Sequence, residues 1–456
     1  MLVPTFTSPL NGHYRRAGGP WDIPSLDALL TAAAPPELAD QVARVAGGLR
    51  ARGVGPGDAV AWQSPNRDEV GVLYRACWRL GAVAAPVHHL MGATDVRAAL
   101  DAVRPKCIVD DVGALPAGEP VGETWPDGRR LAAVLFTSGS SGTPKGVLHT
   151  QETLAYKAVQ MRGAHGLGPA DCVLMPAPAA HISGLLNGVT LPGVVPFRTV
   201  FMARWDPEDA LTLIEQARVT FMVGPPTFFV SMMQAPGFDR GRVASLRLIS
   251  SGGAGVGRAF VAEAARAFGA TVKRTYGSTE VPTVITDGRT IGEVELRAGD
   301  NGELLARGPE VCVGYLDPEQ TSEAFTSDGW FRTGDIADID LDGAIEIVGR
   351  IKDVIIRGGE NISTAEVEQV LEAHPDVRHA VAVGEPDALM GERVVAFVEG
   401  APGFDLAACR QWFAERGVAR FKTPERVVVI DALPLLATGK PDRAALRARA
   451  SAAAGE

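Results

Sequence analysis

Lysine is scarce in this chain: seven lysines stand against 37 arginines in 456 residues. A lysine kept where arginine is the default is a candidate for a task that needs a compact point charge. Basic runs are lacking too. The net charge is −10, from 44 basic and 54 acidic residues. Neutralising a phosphate backbone takes clustered Lys and Arg, so the charge pattern argues against a nucleic-acid partner. The acidic balance serves solubility instead. Five cysteines, Cys77, Cys107, Cys172, Cys312 and Cys409, are dispersed and form no CxxC pair. Such a set argues against a zinc site or a disulfide framework and suits a reducing compartment. No apolar stretch approaches the roughly 20 residues of a membrane helix. The opening MLVPTFTSPLNGHYRRAGG lacks a basic start followed by an apolar run, so no secretory signal is expected. A cytoplasmic protein with no membrane span is the expectation.

Hydrophobic residues make up 46% and charged residues 21%, as in globular proteins. The length exceeds one ordinary core, so two or three domains are expected. Apolar periodicity predicts helices over 37–52, 68–80, 152–162, 207–217 and 257–268. Short apolar runs predict strands over 58–62, 131–137, 221–223, 246–250 and 272–275. The alternation of the two indicates a layered α/β architecture with much parallel sheet. After about residue 287 short β segments with Gly and Asp turns dominate, as in GELLARG, GWFRTGD and GAIEIVGR. A final unit of strands at 354–356, 380–383, 394–398 and 426–430 with helices at 364–373 and 406–416 is long enough to fold alone. The expected fold is therefore a large N-terminal layered α/β domain, residues 1–349, with a β-barrel-like subdomain, and a small α+β C-terminal domain, residues 350–456.

One loop stands out for its chemistry. Residues 135–150 read LFTSGSSGTPKGVLHT. A nucleotide-binding P-loop reads GxxxxGK[ST] and uses its last hydroxyl for magnesium. Here the Gly-to-Lys spacing differs, Pro144 precedes Lys145, and Gly146 stands where that hydroxyl belongs. Phosphate still suits the loop. Glycines allow close backbone approach, and backbone N–H groups, hydroxyls and Lys145 can all donate to oxyanions. Taken alone, the segment reads equally well as the tip of a flexible hairpin.

The loop closely resembles the signature phosphate loop of the adenylate-forming superfamily, which includes acyl-CoA synthetases, peptide-synthetase adenylation domains and luciferases. Four further motifs resemble that family in the same order: YGSTE at 276–280, GWFRTGD at 329–335, GRIKD running to GGENI over 349–362, and PLLATGK at 434–440. The resemblance implies two steps. A carboxylate attacks the α-phosphorus of ATP to give acyl-adenylate and pyrophosphate, and a thiol then attacks the acyl carbonyl and releases AMP. ATP, Mg2+ and coenzyme A are the implied cofactors, and a small-molecule carboxylic acid is the partner.

The same resemblance implies the site residues. Thr137, Ser138, Gly139, Ser140, Ser141, Gly142, Thr143 and Lys145 would wrap the β- and γ-phosphates. Gly253, Ala254, Tyr276 and Gly277 would belong to the nucleotide site, with Tyr276 against adenine. Thr279 would touch the α-phosphate, and Glu280 would hold magnesium, a hard cation suited to carboxylate. Asp335 would accept from the ribose diol, and Arg350 would reach ribose or phosphate oxygens. Lys440 is the main catalytic candidate, gripping the substrate carboxylate as negative charge spreads over the phosphoryl oxygens. Lys352 falls at the family's hinge, where the small mobile domain rotates between half-reactions. Gly359 would border the thiol tunnel, and Gly358 reads equally as part of a hairpin turn.

The acyl pocket would be built from His181, Ile182 and Gly184, from Val223, Pro225 and Thr227, and from Gly252. These stretches are small and apolar, and the His181 region has no aspartate to pair with an amino acid's ammonium group, which would be costly to bury alone. An acid with an uncharged tail is expected: fatty, alicyclic or aryl. His181 reads equally as a gate, as a ring stacked on the acyl-phosphate region, or as a hydrogen-bonded packing histidine. His88, His89, His149 and His165 have no role. The leading expectation is an AMP-forming acyl-CoA synthetase; the alternative is a stand-alone acyl-AMP ligase that loads a carrier-protein thiol. Oligomeric state is open, a homodimer included.

Overall fold

The computed structural model describes residues 2–137, 144–387, 389–400, 403–435 and 441–452, with Asn361 described by its backbone alone. The chain divides into two compact units, Met1–Leu296 with Ala306–Arg332, and Arg297–Leu305 with Thr333–Glu456. The expected mixed α/β fold with a larger N-terminal and a smaller C-terminal part is what forms.

The first sheet holds β1 (Ala59–Gln63), β2 (Val83–Val87), β3 (Cys107–Val109), β4 (Leu131–Thr137) and β5 (Lys145–Thr150). Their order is β3-β1-β2-β4-β5. The first four run parallel, and β5 returns antiparallel to β4. Both faces are covered, which is why β1, β2 and β4 read as continuous apolar runs rather than alternating ones. Successive side chains still go to opposite faces. Val60, Trp62, Ala84, Ala133 and Leu135 pack with Tyr74 and Trp78 of the helix Asp68–Arg79. Ala59, Ala61, Val83, Ala85 and Val134 pack in a second core.

The second sheet holds β6 (Cys172–Met175), β7 (Arg198–Phe201), β8 (Phe221–Gly224), β9 (Leu248–Gly252), β10 (Thr271–Tyr276), β11 (Ile285–Thr286) and β12 (Arg289–Thr290). Its order is β12-β11-β10-β9-β8-β6-β7. Strands β7, β6, β8, β9 and β10 are parallel, and β11 and β12 close the edge as an antiparallel hairpin. Leu174, Met222 and Ile249 face one core, while Val173, Met175, Phe221 and Leu248 face another. The connecting helices start on local signals. Asp206 caps Pro207–Ala217 by accepting from Glu208 and Asp209 N–H, with Pro207 in the first turn. Thr150 and Thr153 form a reciprocal capping box at the start of Gln151–His165. Among the described residues no helix is long and apolar enough to cross a membrane.

The β segments after residue 287 form a four-stranded sheet, β13 (Glu295–Ala298), β14 (Glu303–Arg307), β15 (Phe331–Ile339) and β16 (Ile345–Arg350), in that order. The last sheet holds β17 (Val354–Arg357), β18 (Glu360–Ser363), β19 (His379–Asp387), β20 (Gly391–Glu399) and β21 (Arg426–Ile430). Its order is β18-β17-β20-β19, with β21 parallel to β20. Val367 and Leu371 of helix Thr364–Glu372 and Cys409 and Phe413 of helix Leu406–Glu415 bury against Ala382, Val394 and Ala396. Leu446 and Ala450 of helix Arg443–Ala452 bury against Val381, Val383, Val395 and Phe397 on the alternate face.

Candidate active site

Parallel sheets bind ligands outside the carboxyl ends of their strands. Some of the residues singled out in the sequence follow such strand ends in the first unit. Val223 and Gly224 end β8 opposite Ser250 and Ser251 of β9, and the chain leaves through Pro225 and Thr227. Gly252 ends β9 opposite Thr275 of β10, and leads to Gly253 and Ala254. Tyr276 ends β10 and leads to Gly277, Thr279 and Glu280. Gly252 is demanded by the close neighbouring strand, since a Cβ there would lie 2.4 Å from the Thr275 carbonyl oxygen.

His181, Ile182 and Gly184 follow β6 through a turn that the first sheet anchors. Asn66, just beyond β1, donates from Nδ2 to the carbonyls of Met175 at 3.1 Å and Ala177 at 2.8 Å, and its Oδ1 accepts from Ala179 N–H at 2.7 Å. Tyr74 Oη donates to the Ala179 carbonyl at 2.7 Å. This tie brings His181 beside His88, the residue after β2. Their ring centroids are 5.8 Å apart at 89°. Two hydroxyls of the expected acyl-pocket stretches, Thr227 Oγ1 and Ser251 Oγ, are buried without a hydrogen-bond partner among the described residues.

Across the β4–β5 hairpin Thr137 pairs with Lys145; Ser138, Gly139, Ser140, Ser141, Gly142 and Thr143 lie outside the described residues. Lys145 Nζ stands 5.7 Å from the ring centroid of Tyr315. The phenol of Tyr315 in turn donates to Glu280 Oε1 at 2.9 Å. Lys145 and Glu280, far apart in sequence, therefore meet on one tyrosine that stands outside the five motifs. Tyr315 is held on three sides. It bridges to Val147 of β5, its N–H donates to Thr321 Oγ1 at 2.9 Å, and its carbonyl accepts from Thr5 Oγ1 at 2.8 Å. Burial, and then the adjacent Glu280 charge, push the phenol's pKa up and keep it a proton donor.

The 276–280 turn has a second anchor. His149 Nε2 lies 2.8 Å from the Thr279 carbonyl, and Nδ1 lies 3.2 Å from Thr153 Oγ1. A carbonyl only accepts, which assigns the ring proton to Nε2 and leaves Nδ1 as the accepting nitrogen, facing a Thr153 hydroxyl that also donates to the Thr150 carbonyl at 3.0 Å. His149 is fully buried, and burial pushes its pKa down to about 4, partly opposed by the Thr279 bond. The neutral ring is therefore a structural donor, where the sequence reading assigned it no role. Lys157 anchors the far end of the same loop. It is buried and donates to the Thr283 carbonyl at 2.6 Å and to Gln160 Oε1 at 2.8 Å, 3.4 Å from Glu310 Oε1. One helix, Gln151–His165, and the strand before it thus fix both ends of the loop that carries Thr279 and Glu280.

Within the second unit, Asp335 and Arg350 face each other across β15 and β16. Arg350 Nε donates to Asp335 Oδ1 at 2.5 Å, so the two expected ribose-site residues form a pair. Lys352 lies in a single 3-10 turn, Ile351–Asp353. Its carbonyl accepts from Arg447 at 3.2 Å, and the next residue, Asp353, is 3.3 Å from Arg447 and 3.9 Å from Arg443. Gly358 and Gly359 form the two-residue turn between β17 and β18, with φ of +57° and +88°, as such hairpins require. Lys440 lies outside the described residues.

Glu280 meets the first requirement for magnesium. It supplies a hard carboxylate oxygen, and Tyr315 fixes its orientation as outer-shell partners of ligating carboxylates do. Among the described residues no cluster of three His, Cys, Asp or Glu could hold a metal by itself. Magnesium commonly uses one or two carboxylates together with substrate phosphates, so a single glutamate is compatible with it.

Residues 36–295 match the AMP-binding enzyme family, and residues 366–440 match the AMP-binding enzyme C-terminal domain. The chain is 35% identical to a feruloyl-CoA synthase from Amycolatopsis over 91% of its length and 93% of the relative's. It is 31% identical to a medium-chain fatty-acid–CoA ligase from Escherichia coli over 88% of its length and 82% of the relative's. Among solved structures it is similar to ATP-bound MatB from Rhodopseudomonas palustris, with a TM-score of 0.84 and 29% identity over 91% of this chain and 92% of that one.

Proposed function

The chain belongs to the AMP-binding enzymes as an acid–thiol ligase of the AMP-forming type, and from that premise we propose that it joins an apolar carboxylic acid to coenzyme A through an acyl-adenylate. A carboxylate oxygen attacks the α-phosphorus of ATP, the α–β bridge breaks, and pyrophosphate leaves. The CoA sulfur then attacks the acyl carbonyl, AMP departs with the carboxylate oxygen, and the thiol proton is lost to solvent. The observation that carries this reading is the convergence of Lys145 and Glu280 on Tyr315, at the strand ends where a nucleotide belongs.

The first step brings an anion to a polyanion, so charge neutralisation is the main demand. Lys145 and the loop 137–143 surround the β- and γ-phosphates, Tyr276 lies against adenine with Gly253, Ala254 and Gly277 around it, and Thr279 donates to the α-phosphate. Glu280 holds magnesium, which when bound withdraws charge from the phosphate oxygens. His149 and Tyr315 keep Thr279 and Glu280 aimed without touching substrate. Asp335 and Arg350 take the ribose, and opening their ion pair toward a diol or phosphate is part of that binding. Lys440 grips the reacting carboxylate, and Lys352 is the hinge about which residues 350–456 turn between steps, with Gly358 and Gly359 beside the thiol's path.

The acid lies among His181, Ile182, Gly184, Val223, Pro225, Thr227 and Gly252. Their small, largely apolar character supports a fatty, alicyclic or aryl acid, and the relatives named for a medium-chain fatty acid and for feruloyl-CoA agree with that range. The test is pyrophosphate release over short, medium, long, cyclic and aromatic acids, with and without CoA. Acid-dependent release, with acyl-CoA and AMP once CoA is added, is expected. Adenylate that persists in the presence of CoA indicates a carrier-protein thiol as acceptor. ATP binding with no pyrophosphate from any acid contradicts the proposal.

A further inference from the structure

Three histidines meet where the two parallel sheets of the first unit approach each other. His88 and His89 follow β2, and their rings stack with centroids 4.9 Å apart and 13° between planes. His181, after β6, stands edge-on to His88. The backbone of this corner is well fixed. The His88 carbonyl accepts from Gln63 Nε2 at 3.0 Å and from Met91 N–H at 3.0 Å, and the turn before His181 is tied to Asn66 and Tyr74.

His88 is only 8% exposed, yet one of its nitrogens has no hydrogen-bond partner among the described residues. Leu90 N–H donates to His88 Nδ1 at 3.1 Å. That nitrogen is therefore the unprotonated one, and in the neutral ring the proton sits on Nε2. Nε2 is buried with no acceptor among the described residues, and Nδ1 of the half-buried His89 likewise has no partner among them. Burial and the neighbouring His89 push the His88 pKa down to about 4, so the ring is an uncharged donor at neutral pH. An orphaned buried N–H is costly and calls for an explanation. A donor of this kind, next to the histidine placed at the acyl pocket, has an obvious complement: an oxygen on the acid itself.

We propose that His88, backed by the stacked His89 and adjoining His181, is a specificity-determining donor for a neutral oxygen on the acyl part of the substrate, so that the preferred acid is an otherwise apolar one bearing a ketone or hydroxyl. The proposal rests on the acid-ligase reading above and on His181 lining the acyl pocket. A neutral oxygen suits an uncharged donor, whereas a second carboxylate would bring an unmatched charge into a buried corner. The unpartnered hydroxyls of Thr227 and Ser251 point the same way, toward a pocket less uniformly apolar than its sequence suggests.

Matched acids test it: cyclohexanecarboxylate against 4-oxocyclohexanecarboxylate, benzoate against 4-hydroxybenzoate, hexanoate against 5-oxohexanoate, each by acid-dependent pyrophosphate release. The wild-type protein is expected to favour the oxygenated member of at least one pair by about tenfold or more in kcat/KM, the size of one hydrogen bond made or left unmade in a dry site. The difference should lie in KM. In His88→Phe, which keeps a flat ring and removes the donor, the ratio should fall to within about threefold of one. Wild-type ratios near one in all three pairs overturn the proposal and leave the ligase reading intact; a buried water on Nε2 would give that result. A ratio unchanged in H88F overturns it as well. If no acid of any kind releases pyrophosphate, the ligase reading fails and this proposal with it. Should H88F melt as an unfolded chain, the wild-type ratios decide the matter alone.

Discussion

Replacing Tyr315 with phenylalanine removes one oxygen from the point where Lys145 and Glu280 meet. The ring stays, so the cation–π contact with Lys145 at 5.7 Å is kept. The lost contact is the 2.9 Å bond to Glu280 Oε1. A hydrogen bond to a charged acceptor contributes about 1.5–3 kcal/mol, and removing a partner that orients a metal ligand typically weakens metal binding by about 10- to 100-fold. Those two ranges agree, since about 1.4 kcal/mol is tenfold. The expectation for Y315F is a rise of about 10- to 100-fold in the Mg2+ concentration giving half-maximal pyrophosphate release, with near-normal turnover once Mg2+ is saturating. Manganese binding to the protein–ATP complex, followed by electron paramagnetic resonance, should weaken by the same factor and reports the site independently of turnover. An unchanged Mg2+ requirement, or a loss that saturating Mg2+ does not recover, refutes the idea that Tyr315 acts by aiming Glu280.

Other expectations follow from the same contacts. Lys440→Ala should slow adenylate formation by about 10^2- to 10^3-fold, the scale of losing one charged transition-state contact, while thioester formation from supplied acyl-adenylate stays within about threefold; equal losses in both halves count against its role. His149 has a native pKa of about 4, below the ordinary 6.5, so the native state resists a proton that the unfolded chain takes up. Its contribution is present above pH 6.5 and is lost as pH falls toward 4, about 3 kcal/mol in all. Urea midpoints measured between pH 7 and pH 4.5 should fall more steeply in the wild type than in His149→Gln; parallel slopes argue otherwise. Arg79→Ala removes the cation from the buried Asp27 carboxylate, which Arg79 Nε contacts at 3.1 and 2.9 Å, and leaves it the Trp125 N–H at 2.8 Å. A loss of about 3–5 kcal/mol in denaturant stability is expected, and a loss below about 1 kcal/mol contradicts the pairing.

The parts of the fold legible in the sequence were those with a strong local period or cap. Pro207–Ala217 and Arg426–Ile430 lie where they were expected, the first because Asp206 and Pro207 mark its start. Strand β2 was passed over. Its run, Val-Ala-Ala-Pro-Val, is too short for periodicity to distinguish strand from helix, and Pro86 argues against an interior strand. Strand β9 begins two residues later than expected, because Leu246 is bonded in a turn to Val243 and the strand continues through Ser250, Ser251 and Gly252, which carry no apolar signal. Candidate site residues are readable in the sequence only where their chemistry stands in adjacent letters, as in YGSTE. Tyr315 and His149 carry no such mark, because each contact is made with a partner far away in sequence: His149 reaches a carbonyl 130 residues on. No local pattern encodes such a contact, and a tyrosine beside a glycine or a histidine inside a strand has no distinguishing mark until the sheets are assembled.

The most direct test of the adenylate route follows an oxygen atom. With an acid labelled by 18O in its carboxylate, turnover in the presence of CoA should place one labelled oxygen in each AMP and none in pyrophosphate. Unlabelled AMP, or label recovered in inorganic phosphate with ADP as the nucleotide product, would contradict activation through an acyl-adenylate.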